Sequence, residues 1–124
     1  EPAAARVFAK HAVVAVERHA VEAGAAALRD GGNAVDSAVA TAFALAVTHP
    51  EAGNLGGGGF LVAHLAEAGR VVTIDFREKA PAAATERMYL DDRGRPLREH
   101  RMGPRAAGVP GTVRGLGLAH AKYG

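Results

Sequence analysis

Residues 33–50, NAVDSAVATAFALAVTHP, constrain the fold more than any other stretch of the chain. Asn33 is a good N-cap, Asp36 suits the positive end of a helix dipole, and Pro50 cannot continue a helix. Between them Val35, Ala38, Val39, Ala42, Phe43, Ala46 and Val47 recur at helical spacing. The opposite side carries Ala40, Ala44 and Leu45, so it is apolar as well. A helix apolar on nearly all sides is a buried helix, an interior element. The rest of the chain is poorly equipped to cover it. Its 124 residues are numerous enough to bury roughly two-thirds of their unfolded surface. Of those residues 48% are hydrophobic, but alanine supplies much of that share and only 5% are aromatic. Alanine removes little area from water, so a core drawn from this chain alone is expected to be thin. The expectation is a chain that packs against something else.

The remaining pattern is mixed helix and strand. Residues 1–10 read as a lead-in, and HAVVAV (11–16) as a short buried strand. A first helix is predicted over 18–30, with Gly31-Gly32 as its stop. After the second helix, FLVAHL (60–65) and VVTIDFR (71–77) read as the strands of a hairpin. AEAGR lies between them, with Gly69 available for positive φ. In the second strand Val72, Ile74 and Phe76 face one way and Thr73, Asp75 and Arg77 the other. From Lys79 to Pro110 periodicity is lost. DDRGRP signals a turn, and a short helix is predicted over 85–90. Pro110 opens a final helix, GTVRGLGLAHAKY, with Gly124 placed as its C-cap. The fold class is α/β (α+β), and residues 1–124 read as a single domain or part of one, without repeat or linker.

Several function classes are excluded or disfavoured. With 15 basic and 13 acidic residues the chain is near balance. Six arginines lie between Arg87 and Arg105, but Glu86, Asp91, Asp92 and Glu99 are mixed in, and Tyr89 is the only aromatic available to stack a base. Nucleic-acid binding is not expected. The absence of cysteine removes disulfides, thiol nucleophiles and thiolate-bound metals. No charged-then-apolar leader opens the chain, so a signal peptide is absent or removed. No apolar run reaches the roughly 20 residues of a membrane span.

The run PEAGNLGGGGF (50–60) raises the question of phosphate binding. No lysine follows Gly56, Gly57, Gly58 and Gly59, and glycine is missing where a dinucleotide fingerprint requires it, at Leu61 or Val62. The element order is also inverted: phosphate loops run from strand to helix, whereas here a helix precedes and a strand follows. Close backbone packing accounts for the glycines better. The only serine, Ser37, lies in the first turn of the buried helix with no nucleophile elbow around it. None of the threonines opens the chain, where an α-amine could serve as base. The six histidines include no HExxH pattern and no helical i, i+4 pair, so no metal site is expected. Asp91-Asp92 is the one carboxylate pair, in a turn. There remains Arg77, on the polar face at a strand end beside Glu78. A guanidinium there can fork onto a carboxylate through two parallel hydrogen bonds. Taken alone, a surface or structural ion pair is the expected role of Arg77.

Four ordered stretches add a resemblance. LRDGGNAVDSAVATAFALAVTHPEAGNLGGGGF, IDFREKAPAAATERMYLDD, GVPGTVRG and the terminal AHAKYG resemble the N-terminal part of the large subunit of gamma-glutamyltranspeptidases, from about residue 12 to the end. The resemblance implies part of an N-terminal-nucleophile hydrolase, an αββα sandwich of which this chain is an incomplete fragment, roughly the first quarter of a precursor. Members cleave themselves into two subunits. The new N-terminal threonine of the small subunit takes the γ-glutamyl group of glutathione or a related amide and passes it to water, an amino acid or a peptide. By resemblance Arg77 holds the α-carboxylate of the donor, Glu78 has a supporting role, and Gly56–Gly59 are structural, touching no substrate. They would let the strand that ends in Arg77 sit close to its neighbours. No catalytic residue and no cofactor is expected in this chain. The expected partners are the remainder of the large subunit, the small subunit and γ-glutamyl donors, in a periplasmic or secreted protein. Related glutaryl-cephalosporin acylases, poly-γ-glutamate depolymerases, or a non-catalytic binding or structural fragment would share these signatures.

Overall fold

The computed structural model describes residues 10–124, and its helices start where the capping chemistry places them. The first, α1, spans Arg18–Arg29. The Glu17 carboxylate caps it, accepting the Ala20 N–H at 3.1 Å. Gly31, at φ +97°, takes the chain out of it. The second, α2, spans Ala34–Thr48 and opens with a full capping box. The Asn33 side chain accepts the N–H groups of Val35 and Asp36, and the Asp36 carboxylate accepts the Asn33 N–H at 2.9 Å. The hairpin strands are β1, Phe60–Leu65, and β2, Arg70–Asp75, antiparallel with Leu61 opposite Ile74 and Ala63 opposite Val72. Gly69 sits at φ +59° in the turn between them. The third helix, α3, spans Thr112–Tyr123.

The residues form two units, one of 10–54 with 116–124 and one of 55–115. In the first, α1 lies on α2 through small side chains. A β-carbon on Gly24 would stand 3.0 Å from the Ser37 hydroxyl and collide with that of Thr41. The end of α3 is tied to the start of α2: Asn33 Nδ2 donates to the Tyr123 carbonyl at 2.7 Å, and His120 Nε2 lies 3.6 Å from the Asp36 carboxylate. Ala20, Val35, Leu116 and Ala119 are buried. Among the described residues no large side chain is fully buried, as the alanine-rich composition leads one to expect. Much of α2 is uncovered, with Val47 80% exposed and Phe43 38%. In the second unit Ile74 is buried and Val72 and Phe76 half-buried, while Thr73, Asp75 and Arg77 are exposed, the alternation expected of this strand.

Two sequence expectations fail. Residues 11–16 form no strand, because none of the described strands pairs with them and an isolated extended segment has no ladder. Their burial still alternates, with Val14 89% and Val16 77% exposed. Residues 85–90 form no α-helix. Met88 and Leu90 donate to Thr85 and Arg87, closing single turns, and Leu90 is then drawn into a bridge with Pro96. The Asp91 carboxylate shapes the intervening turn by accepting the N–H groups of Arg93 and Arg95, both at 2.8 Å. Short 3-10 turns follow at Arg98–His100 and Pro104–Ala106.

Candidate functional site

The site is built around the end of β2. The ladder closes at Asp75, two residues short of Arg77. One more backbone bond extends it, from Phe76 N–H to the Gly59 carbonyl at 3.0 Å. Beyond the site the chain is fastened again. Lys79 and Val109 exchange both backbone bonds, at 3.1 and 2.8 Å. Arg77 and Glu78 therefore occupy a two-residue window between two backbone anchors. Within it the Arg77 N–H donates to the Asp75 carboxylate at 3.0 Å. Both Arg77 and Glu78 are exposed.

The ion pair that local sequence favours for Arg77 does not form. Among the described residues the arginines paired with carboxylates are Arg18, with Glu22, and Arg95, with Asp91, each at 2.8 Å. Glu78 is a sequence neighbour of Arg77, and adjacent side chains at a strand end point to opposite sides. An exposed guanidinium on a fixed root, with no carboxylate of its own, can receive one from outside, in the bidentate geometry that arginine favours.

The glycine run lies against this window. A β-carbon on Gly58 would stand 2.6 Å from the Glu78 nitrogen and 2.7 Å from the Phe76 carbonyl oxygen. One on Gly59 would meet the Phe76 ring at 3.0 Å. The Gly57 carbonyl accepts the N–H groups of Gly111 and Thr112, at 2.9 and 3.1 Å, at the start of α3. Sequence reasoning tied Gly56–Gly59 to this strand but assigned no role to GVPGTVRG. That segment lines the same window. A β-carbon on Gly108 would stand 2.9 Å from Glu78 Cβ, and one on Gly111 would lie 2.8 Å from the Phe76 carbonyl carbon and collide with its oxygen. Gly115, in the first turn of α3, faces the Phe76 side chain in the same way. The available signal was the repeated glycine of GVPGTVRG, which opens a helix where glycine is otherwise unfavourable.

Ser37 is buried at 4% exposure within α2, and the Thr41 hydroxyl donates to the Ser37 carbonyl at 2.8 Å. Both therefore belong to the packing between α1 and α2.

Comparison with known proteins gives this geometry its context. The family model described as gamma-glutamyltranspeptidase matches residues 20–124. The chain is 52% identical over 114 residues to the glutathione hydrolase proenzyme of Pseudomonas aeruginosa, covering 91% of this chain and 20% of that protein. It is 52% identical over 120 residues to the corresponding proenzyme of Escherichia coli, covering 95% and 20%. Among solved structures it superposes on the gamma-glutamyltranspeptidase of Helicobacter pylori with a TM-score of 0.91 at 48% identity, over 97% of this chain and 34% of that one. The transpeptidase CapD of Bacillus anthracis is more distant, with a TM-score of 0.70 at 29% identity, over 94% and 33%. The chain thus spans about a fifth of the length of the curated relatives it matches, rather than the quarter expected. It is a member of the gamma-glutamyltranspeptidase family and carries part of that family's N-terminal-nucleophile hydrolase fold.

Proposed function

We propose that this chain is the N-terminal portion of a large subunit, a single partial domain of a complete enzyme that cleaves the γ-glutamyl amide of glutathione and related donors. The acyl group passes to water, an amino acid or a peptide. The nucleophile is a threonine at the start of the small subunit, with its own α-amine as base. The part played by this chain is to receive the donor. Arg77 forks onto the donor α-carboxylate and so presents the γ-carbonyl to the nucleophile, while Glu78 supports it from the adjacent position. The single observation that carries this reading is the two-residue window, which holds, between two backbone anchors, an exposed arginine without a carboxylate partner among the described residues. The relatives' names supply the chemistry: glutathione hydrolases at 52% identity favour a γ-glutamyl donor over the substrates of more distant members. The remainder of the large subunit and the small subunit cover what α2 and the hairpin leave exposed, in a periplasmic or secreted protein.

The test is Arg77→Ala in the complete precursor. KM for a γ-glutamyl anilide should rise by about a hundredfold, the scale of a lost charge-assisted clamp, with self-cleavage largely intact. Arg77→Lys should recover only part of the loss, because a point charge lacks the planar fork. Unchanged donor kinetics in Arg77→Ala would refute the assignment. Comparing γ-glutamyl with glutaryl anilides separates this reading from an acylase, since only the former carries the α-amine.

A further inference from the structure

We infer that Gly58 and Gly111 are positioning residues for Arg77, acting together from two segments of the chain to set where the guanidinium begins. This rests on the reading of Arg77 as the donor clamp. Gly58 precedes β1 and Gly111 precedes α3, more than fifty positions apart in sequence, yet both approach the carbonyl of Phe76, the residue before Arg77. The two segments are also bonded to each other, since the Gly57 carbonyl accepts the Gly111 and Thr112 N–H groups.

The atoms that a side chain would meet decide the matter. At Gly58 they are the Glu78 nitrogen at 2.6 Å, and the Phe76 carbonyl oxygen and the Glu78 carboxylate Oε2, both at 2.7 Å. At Gly111 they are the Phe76 carbonyl, and the Arg77 oxygen at 3.3 Å. All but the Glu78 carboxylate oxygen are backbone, and backbone held in hydrogen bonds on both sides cannot swing aside as a flexible side chain would. Ordinary contact begins near 3.4 Å, so an added methyl must drive residues 76–78 outward by on the order of 1 Å. That displacement falls on the root of Arg77. A misplacement of about 1 Å in a group that orients a substrate can cost on the order of a hundredfold in rate. Gly108 touches the same window more lightly, meeting Glu78 Cβ at 2.9 Å.

The experiment compares Gly58→Ala, Gly111→Ala and Gly108→Ala in the complete, self-cleaved enzyme. Each is assayed with a γ-glutamyl anilide and with the analogue lacking the α-carboxylate, a 4-aminobutyryl anilide. The readout is the ratio of kcat/KM between the two donors, which reports the carboxylate clamp alone. Gly58→Ala and Gly111→Ala should each lower that ratio tenfold or more, mainly through KM, and Gly108→Ala by a smaller factor. A general fall in activity with an unchanged ratio would overturn the inference, because it would mark the glycines as merely structural. If the first two variants fail to self-cleave, Gly108→Ala decides: a lowered ratio supports the inference and an unchanged one rejects it. Arg77→Ala serves as the reference. If it leaves the ratio unchanged, the reading of the clamp itself fails; if it collapses the ratio while the glycine variants do not, only the positioning role fails.

Discussion

Arg95 and Arg77 carry the same side chain in opposite surroundings. Arg95 closes a turn: its Nε donates to the Asp91 carboxylate at 2.8 Å, and its backbone N–H donates to the same group. The Arg95 N–H, foremost, holds the Asp91 carboxyl below the usual aspartate range against the opposing effect of burial, and the Arg95 side chain and the Arg93 N–H add to the lowering. A carboxylate whose pKa is lower in the folded state stabilises the turn fully above the ordinary aspartate value, and the contribution fades as pH falls through the folded value. An NMR titration of the complete protein should therefore find Asp91 titrating below the ordinary aspartate range, with the Arg93 and Arg95 amide resonances moving at the Asp91 midpoint; amides indifferent to that midpoint would contradict the turn geometry. Among the described residues Arg77 has no such partner, which is what the proposed role as a donor clamp requires. Sequence alone could name Arg77, through its polar-face register and through resemblance. It could not tell an occupied guanidinium from an available one, because the carboxylate that would occupy it could come from anywhere in the fold.

Among the elements, the helices were the most legible. Asn33, Asp36 and Pro50 mark the ends of α2 through purely local hydrogen bonding, so local sequence suffices to place them. In the fold Asn33 also donates to the last turn of α3, a contact ninety positions away that no local pattern reveals. Asn33→Ala should accordingly lower stability by about 1–2 kcal/mol, at the upper end of the effect of a lost cap, measured by denaturant unfolding of the complete protein. The contact between α1 and α2 supplies a second test. Gly24→Val pushes a branched side chain into the hydroxyls of Ser37 and Thr41 and should cost about 1–3 kcal/mol. Stability equal to that of the unaltered protein would show that the two helices can separate freely. The elements that misled are those whose identity depends on a partner. HAVVAV has strand composition and alternating burial but no neighbour among the described residues to form a ladder with. Residues 85–90 lose a helix to the competing turn at Asp91 and to the bridge between Leu90 and Pro96.

For the molecule as a whole, the exposed apolar surface is the informative quantity. Val14, Val16, Val47, Phe60, Val62 and Val71 are each more than 60% exposed, and a groove of about 570 Å³ between residues 10–14 and α2 is lined by Val13, Leu28, Ala38 and Leu45. Apolar exposure on this scale marks a surface meant to be covered. The 124-residue chain purified alone should show no γ-glutamyl anilide hydrolysis and should bind a hydrophobic dye such as ANS, whereas the complete enzyme should hydrolyse the anilide and bind little dye. Activity in the isolated chain would overturn the assignment of the nucleophile to the small subunit. The need for cover was readable from residues 33–50, because a helix apolar on nearly all sides turns apolar surface to water wherever it is placed, unless something covers it. Capping and the hairpin turn were readable as well, since both are settled by residues within a few positions of one another. The juxtaposition of Gly58, Gly111 and Phe76 was not, because nothing in a chain pattern tells which distant backbone will cross a given glycine. Folding brings those three together, and with them the narrow window from which Arg77 reaches out.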